Sequence, residues 1–378
     1  PGDTEPVTRF PLALVAGVAL GFVGCSATGA PTAQPTPAQA SVAASQGALA
    51  KRAAHTMTAL PGGDLLVAGG CDLDGCTTAT NSTFLVSGAS STPVADLADA
   101  RDAHTAVALA DGRVLVVGGF SGEGRPPLAS AELFDPRTNR WTATGPLRLG
   151  RGGHAAALLG DGRVLVAGGW AAPSTYTDTT EIYDPKSGEF TAGPRLPLPA
   201  DGLAAASLPN GCVLAFGGQR RSQVATDQAI EICPDGRSRK VGSLGTGRFK
   251  HGVTVLESGE VLVIGGTTDD QTLLASTELY DPIARRFRPG PDLLAGRYKL
   301  TDSVVTLPGG RVVVAGGGEG VELIDISTGT ASTIGQLAGG RRSFSTVGVT
   351  HGQLVVLGGY DESIRLTETY LVLPVAEL

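Results

Sequence analysis

The sequence predicts an all-β chain: a seven-bladed β-propeller of four-stranded antiparallel blades, its ring closed by an N-terminal strand pairing into the last blade. Three observations predict it. An apolar run ending in Gly-Gly recurs seven times, with the first Gly of each pair at 69, 118, 168, 217, 265, 316 and 358. A two-residue turn precedes each run: Gly62-Gly63, Asp111-Gly112, Asp161-Gly162, Asn210-Gly211, Ser258-Gly259, Gly309-Gly310 and His351-Gly352. Finally, 55 of the 378 residues are Gly and only 17% are charged, a composition of many tight turns and little solvated surface.

The intervals between Gly pairs are 49, 50, 49, 48, 51 and 42 residues, so the repeated unit is regular, with one shorter interval at the end. Within a unit the turn joins strands one and two, because Gly, Asn and Asp tolerate the positive φ of two-residue hairpins. After the Gly pair comes a polar loop, then a third strand with Glu two residues before a larger side chain. Glu132-Leu-Phe134, Glu181-Ile-Tyr183, Glu231-Ile-Cys233, Glu278-Leu-Tyr280 and Glu368-Thr-Tyr370 carry this pattern. A fourth strand is marked by Trp141, Phe190 and Phe287. Four short strands cannot bury two faces alone, so units must stack face to face, and closing the stack gives a propeller. The seventh unit ends after its third strand. Residues 41–55 align without a gap on 140–154, with Val42 on Trp141, Arg52 on Arg151 and His55 on His154. They are expected to supply the missing fourth strand by pairing near 366–373.

The Gly pairs with Tyr and Trp at these spacings resemble the kelch repeat, and the resemblance covers residues 41–378. Only some units keep the aromatic pair that eukaryotic kelch repeats carry, as in bacterial relatives of the GRVLVAGG type. The resemblance implies a propeller of the galactose oxidase and kelch superfamily.

Residues 1–24 read as a signal peptide. Phe10 to Gly24 is an uncharged run preceded by Arg9, shorter than the roughly 20 residues a membrane span needs. Phe22-Val23-Gly24-Cys25 resembles the lipobox of bacterial lipoproteins, which implies lipidation of Cys25, and Ser26 implies sorting to the outer membrane. Residues 25–40, rich in Pro, Ala and Thr, read as a tether, and 41–378 as the propeller. The expected location is the bacterial cell envelope, with the membrane reached through the lipid anchor only. The chain has 36 acidic and 29 basic residues. With no basic excess to neutralise phosphates, nucleic acid is excluded as a partner.

Four further cysteines suit an oxidising compartment. Cys71 and Cys76 flank a short loop, and Cys212 and Cys233 lie roughly opposite on paired strands, so the bridges Cys71–Cys76 and Cys212–Cys233 are expected. No second Cys pair or His stands at ligand spacing, so no metal and no cofactor is expected.

Four of the five His hold one repeat position, His55, His104, His154 and His251, each three residues after an Arg. The Arg series is Arg52, Arg101, Arg151, Arg248, Arg297 and Arg341, with Ala200 in the fourth unit. Repeated polar residues between stacked sheets are expected to meet repeated partners, and the phased Glu residues are the candidates. The loops after the Gly pairs emerge at the same end as the Arg segments, and in the sixth unit 318–321 leave a notch. Phe120, Trp170 and Tyr360 directly follow their Gly pairs, while Arg125, Tyr176, Arg220 and Arg221 lie within loops. Aromatic and Arg side chains on a rigid scaffold are suited to binding. No nucleotide loop, HExxH or G-x-S-x-G occurs, so no catalytic residue is assigned. The expected function is a binding scaffold for a protein, peptide or glycan of the envelope. The alternative, implied by the family resemblance, is a carbohydrate-active propeller similar to sialate mutarotases or copper radical oxidases.

Overall fold

The computed structural model describes residues 42–44, 51–171, 175–220, 224–337, 340–367 and 369–378. The signal segment, Cys25, the tether and Arg221 lie outside them. Residues 38–378 form one compact unit.

The described chain is all-β and forms a multi-bladed propeller. Seven four-stranded antiparallel sheets are present, with a small three-stranded ribbon on the third. In blade three the strands are Ala155–Leu158, Val164–Ala167, Thr180–Asp184 and Glu189–Ala192, in that order across the sheet. Each apolar run before a Gly pair becomes the second strand, buried on both faces, as at Val114–Val117 and Val164–Ala167. A strand sandwiched between two neighbouring sheets has no solvent face, so alternation gives way to a continuous apolar run. Leu115, Val117 and Leu133 of blade two thus pack on Val164, Val166 and Tyr183 of blade three. The aromatic pairs join strands three and four: Phe134 with Trp141, Tyr183 with Phe190 and Tyr280 with Phe287, with ring centroids 4.9–5.1 Å apart.

The first strands of successive blades, from Thr56–Ala59 to Thr346–Thr350, touch in sequence, and the last touches the first. They surround a channel that includes a cavity of about 310 Å³ walled by Ala106, Ala156, Ala205, Val253 and their neighbours. The ring closes as the repeat requires, with Val42–Ala44 pairing antiparallel to Thr369–Pro374. The register is corrected by two residues. Val42 lies opposite Leu371, itself opposite Val356, the place that Ala143 takes opposite Glu132 and Val116. Val42 therefore corresponds to Ala143 rather than Trp141. The connection from Val42 to Arg52 is two residues longer than that from Ala143 to Arg151, which an ungapped alignment hides.

Cys71 is bonded to Cys76 and Cys212 to Cys233, with Cα atoms 5.3 and 4.1 Å apart.

Candidate functional site

In blades one, two, three, five and six, Arg side chains enter at the loop end and turn inward. Arg101 donates to Gly118 O, Ser130 O and Oγ, and Glu132 Oε1, the last at 2.9 Å. Arg151 and Arg248 repeat this set against Glu181 and Glu278 at 2.8 and 2.7 Å. Arg297 meets Glu322 at 2.6 Å, a partner the sequence pattern missed because the sixth loop is so short. Each Glu also accepts main-chain N–H bonds, as Glu181 does from Arg148 and Leu149, so the buried charges are paired and bonded.

Two Glu assignments and one Arg are corrected by strand register. Opposite Ala215, where the Glu belongs, stands Ile230. Glu231 is one residue on, so it faces the other side of the sheet and meets Tyr280 OH at 2.8 Å. In blade seven the slot holds Leu371, while Glu368 lies outside the described residues. The Arg position there is Arg342, whose carbonyl accepts from Gly317 as Arg151's does from Gly119. Arg341 lies one residue outside the series. In blade one the Glu slot holds Phe84, and Arg52 lies over its ring at 4.8 Å. Without a carboxylate in contact, burial draws Arg52 down to about 10.

The His set meets Thr hydroxyls of the preceding blade rather than Glu. Nε2 of His55, His104 and His154 lies 2.8, 3.1 and 2.8 Å from Thr346, Thr56 and Thr105 Oγ1. At His251 the preceding blade offers Ala204, and both ring nitrogens are left unpartnered. Burial, reinforced by the neighbouring Arg, pulls His55, His154 and His251 down to about 3.

The channel mouth is built from the residues just after these Arg. Ala54, Ala103, Gly153, Gly202, Lys250, Lys299 and Phe344 all have positive φ, between 47° and 63°. They are joined from blade to blade by main-chain bonds: Ala103 to Ala54, Gly153 to Ala103, Gly202 to Gly153, Lys250 to Gly202, Leu300 to Lys250 and Phe344 to Lys299. Around this hoop the repeat places side chains of two kinds.

On one side stand Phe120, Trp170 and Tyr176, half-buried and edge-to-face, with centroids 6.1 Å (Phe120 to Trp170) and 6.4 Å (Trp170 to Tyr176) apart. Trp170 pairs with Gly152 and Tyr176 in a rim ribbon of Arg151–Gly152, Trp170–Ala171 and Thr175–Tyr176. Gly152 and Gly153 are the landing place of the cluster. A Cβ on Gly152 would strike the Phe120 ring, and one on Gly153 would strike Asp201 Oδ1. Asp201 accepts from Gln219 Nε2 at 3.2 Å, and burial pushes its carboxyl up to about 6. Lys250 is held by Asp270 at 2.8 Å.

On the other side Tyr298, Phe344 and Tyr360 enclose the Lys299 ammonium, 4.8, 5.7 and 5.2 Å from their centroids, and Tyr360 OH is 3.0 Å away. Of the residues expected at the rim, the structure therefore gathers Phe120, Trp170 and Tyr176 into one cluster and places Tyr360 in a second. Arg125 and Arg220 are exposed on their loops. Sequence reasoning missed Asp201, Gln219, Lys250, Tyr298, Lys299 and Phe344. The available signal was their place one or two residues after the Arg position, or directly after a Gly pair.

The Kelch motif family model matches residues 103–148 and 151–197. No curated protein matches the chain. Among solved structures, the one titled "Structure of YjhT" is similar with a TM-score of 0.57 and 12% identity, covering 85% of this chain and 94% of that one. At that identity the likeness speaks for the fold. With the Gly-pair repeat, the seven antiparallel sheets and the motif matched in blades two and three, the chain is a β-propeller that carries kelch motifs.

Proposed function

We propose that the chain is a lipid-anchored envelope protein that binds a protein, peptide or glycan at the loop-side mouth of its channel. One observation carries the reading. The repeated Arg and Glu groups are engaged inside the blades, whereas Phe120, Trp170 and Tyr176 converge, half-buried, beside Asp201, Gln219 and Lys250. Large rings with a few polar groups on rigid elements, at the mouth of a channel, have the composition of a recognition site. The anchor reading rests on the lipobox-like segment ending at Cys25.

The test is capture from envelope extract together with a glycan array, comparing the protein with Trp170→Ala. Retention of a defined peptide, protein or glycan that the variant loses supports the reading. Equal retention by both, or none by either, overturns it. A second reading, sugar chemistry at the same mouth, is favoured by Asp201, whose carboxyl burial pushes up to about 6. Groups titrating there can exchange protons near neutral pH. Turnover of a sugar anomer, lost in Asp201→Asn, would replace the binding reading with this one.

A further inference from the structure

The two aromatic clusters at the mouth differ in one respect: one contains a cation and the other does not. Tyr298, Phe344 and Tyr360 surround the alkylammonium of Lys299 at 4.8–5.7 Å, with the Tyr360 hydroxyl 3.0 Å from Nζ. This is cation–π contact supplemented by a hydrogen bond. Phe120, Trp170 and Tyr176 form a comparable set of edge-to-face rings, but no Lys or Arg of the described chain lies over them.

Two acceptors accompany that second cluster. Asp201 has its carboxylate against Gly153, next to the Gly152 on which the Phe120 ring lies. Among the described residues it makes no ion pair within 4 Å; Lys250 is held by Asp270 and acts on Asp201 only from further away. Gln219 follows its Gly pair as Trp170 does, one blade on. Its Oε1 is buried and without a partner, while its Nε2 is spent on Asp201. A buried acceptor with no donor is costly unless a ligand supplies one.

We propose that the Phe120–Trp170–Tyr176 cluster with Asp201 and Gln219 binds the protonated primary amine of a small ligand. The rings take its cationic methylene and ammonium faces, Asp201 takes the charge, and Gln219 Oε1 accepts an N–H. The proposal rests on the reading of the mouth as the binding face and names the group bound there.

The chain has two Trp, and Trp141 lies on the outer strand of blade two, so full-length protein carrying Trp141→Phe reports on Trp170 alone. It is titrated at pH 7.5 with n-butylammonium, tetramethylammonium and 1-butanol, following indole fluorescence. The expected result is a saturable change with butylammonium, at least about tenfold weaker binding of tetramethylammonium, which has no N–H, and weaker binding still of 1-butanol. Asp201→Asn should weaken butylammonium about tenfold or more, with the melting temperature measured to show that the variant is folded. Equal response to butanol, equal or tighter binding of tetramethylammonium, or no response at all overturns the proposal. Its failure is distinct from failure of the binding reading: envelope capture that Trp170→Ala abolishes, without an amine response, removes the amine site and leaves the mouth as a binding face.

Discussion

Blade three holds its loop end with Arg151, bonded to Gly168 O, Thr179 O and Glu181. Blade four, beside it, has Ala200 and Ile230 in those places and a small cavity lined by Ala200, Gly217, Gln228 and Ile230 where the guanidinium would lie. At its far end it carries the Cys212–Cys233 bridge, which joins its second and third strands. The two also differ at the next repeated position, His154 against Leu203. Both blades fold. The ion pair is therefore not required by the architecture, and blade one keeps Arg52 with Phe84 in the Glu slot, its guanidinium held instead by Gly69 O and Ser82 O. A buried charge is tolerated when paired or fully hydrogen-bonded, a smaller apolar pair does as well, and a carboxylate left buried without its cation is the state to avoid.

The strongest break of the comparison is Arg151→Ala. It leaves Glu181 buried and should cost about 3–5 kcal/mol in urea unfolding. Arg151→Ala with Glu181→Ile imports blade four's solution and should recover most of the loss, ending within about 2 kcal/mol of the parent. A double variant no better than the single would show that blade four's arrangement depends on something else. Next in size, Cys212→Ser with Cys233→Ser opens a short closed loop and should cost about 3 kcal/mol. An unchanged urea midpoint would mean that the bridge adds nothing to blade four.

A third test imports Leu203 into blade three. His154 is pulled to about 3 by burial, against an unfolded value near 6.5. A base with a depressed folded pKa gives stability that is complete above about pH 6.5 and is lost as pH falls toward 3, by about 1.4 kcal/mol per unit for one proton. His55 and His251 behave alike. His154→Leu should therefore flatten the acid limb of stability against pH by one proton's slope, and an unaltered slope would count against a neutral buried imidazole. The smallest effect is a gain. Ala204→Thr places a hydroxyl where Thr105 serves His154, giving His251 a partner and about 1 kcal/mol of stability, read as a higher melting temperature.

The fold was legible because its signals are local: a turn dipeptide, an apolar run and a Gly pair each act over a few residues and recur in phase. The ring closure was legible for the same reason, to within two residues. What could not be read was side-chain phase on the third strand. Glu231 looks like Glu181 in the sequence, yet it stands one residue later on its strand, and a one-residue slip sends a side chain to the opposite face. Arg341 and Arg342 pose the same problem, which only the main-chain bond to Gly317 resolves. At the mouth, Phe120 and Trp170 were visible as large rings after Gly pairs. Asp201 was not, because nothing local marks a carboxylate that gains its surroundings from Gly153 of one blade and Gln219 of another.

The main-chain hoop from Ala54 to Phe344 fixes an aperture. Six links run between adjacent blades, so parting any of those six pairs means breaking a hydrogen bond as well as separating sheets. The seven left-handed positions display Ala, Gly, Lys or Phe without changing the spacing of the backbone that bears them. The bore is thus set by the backbone that lines it and not by the side chains it carries. The lettering around the rim is free to change while the gauge stays constant.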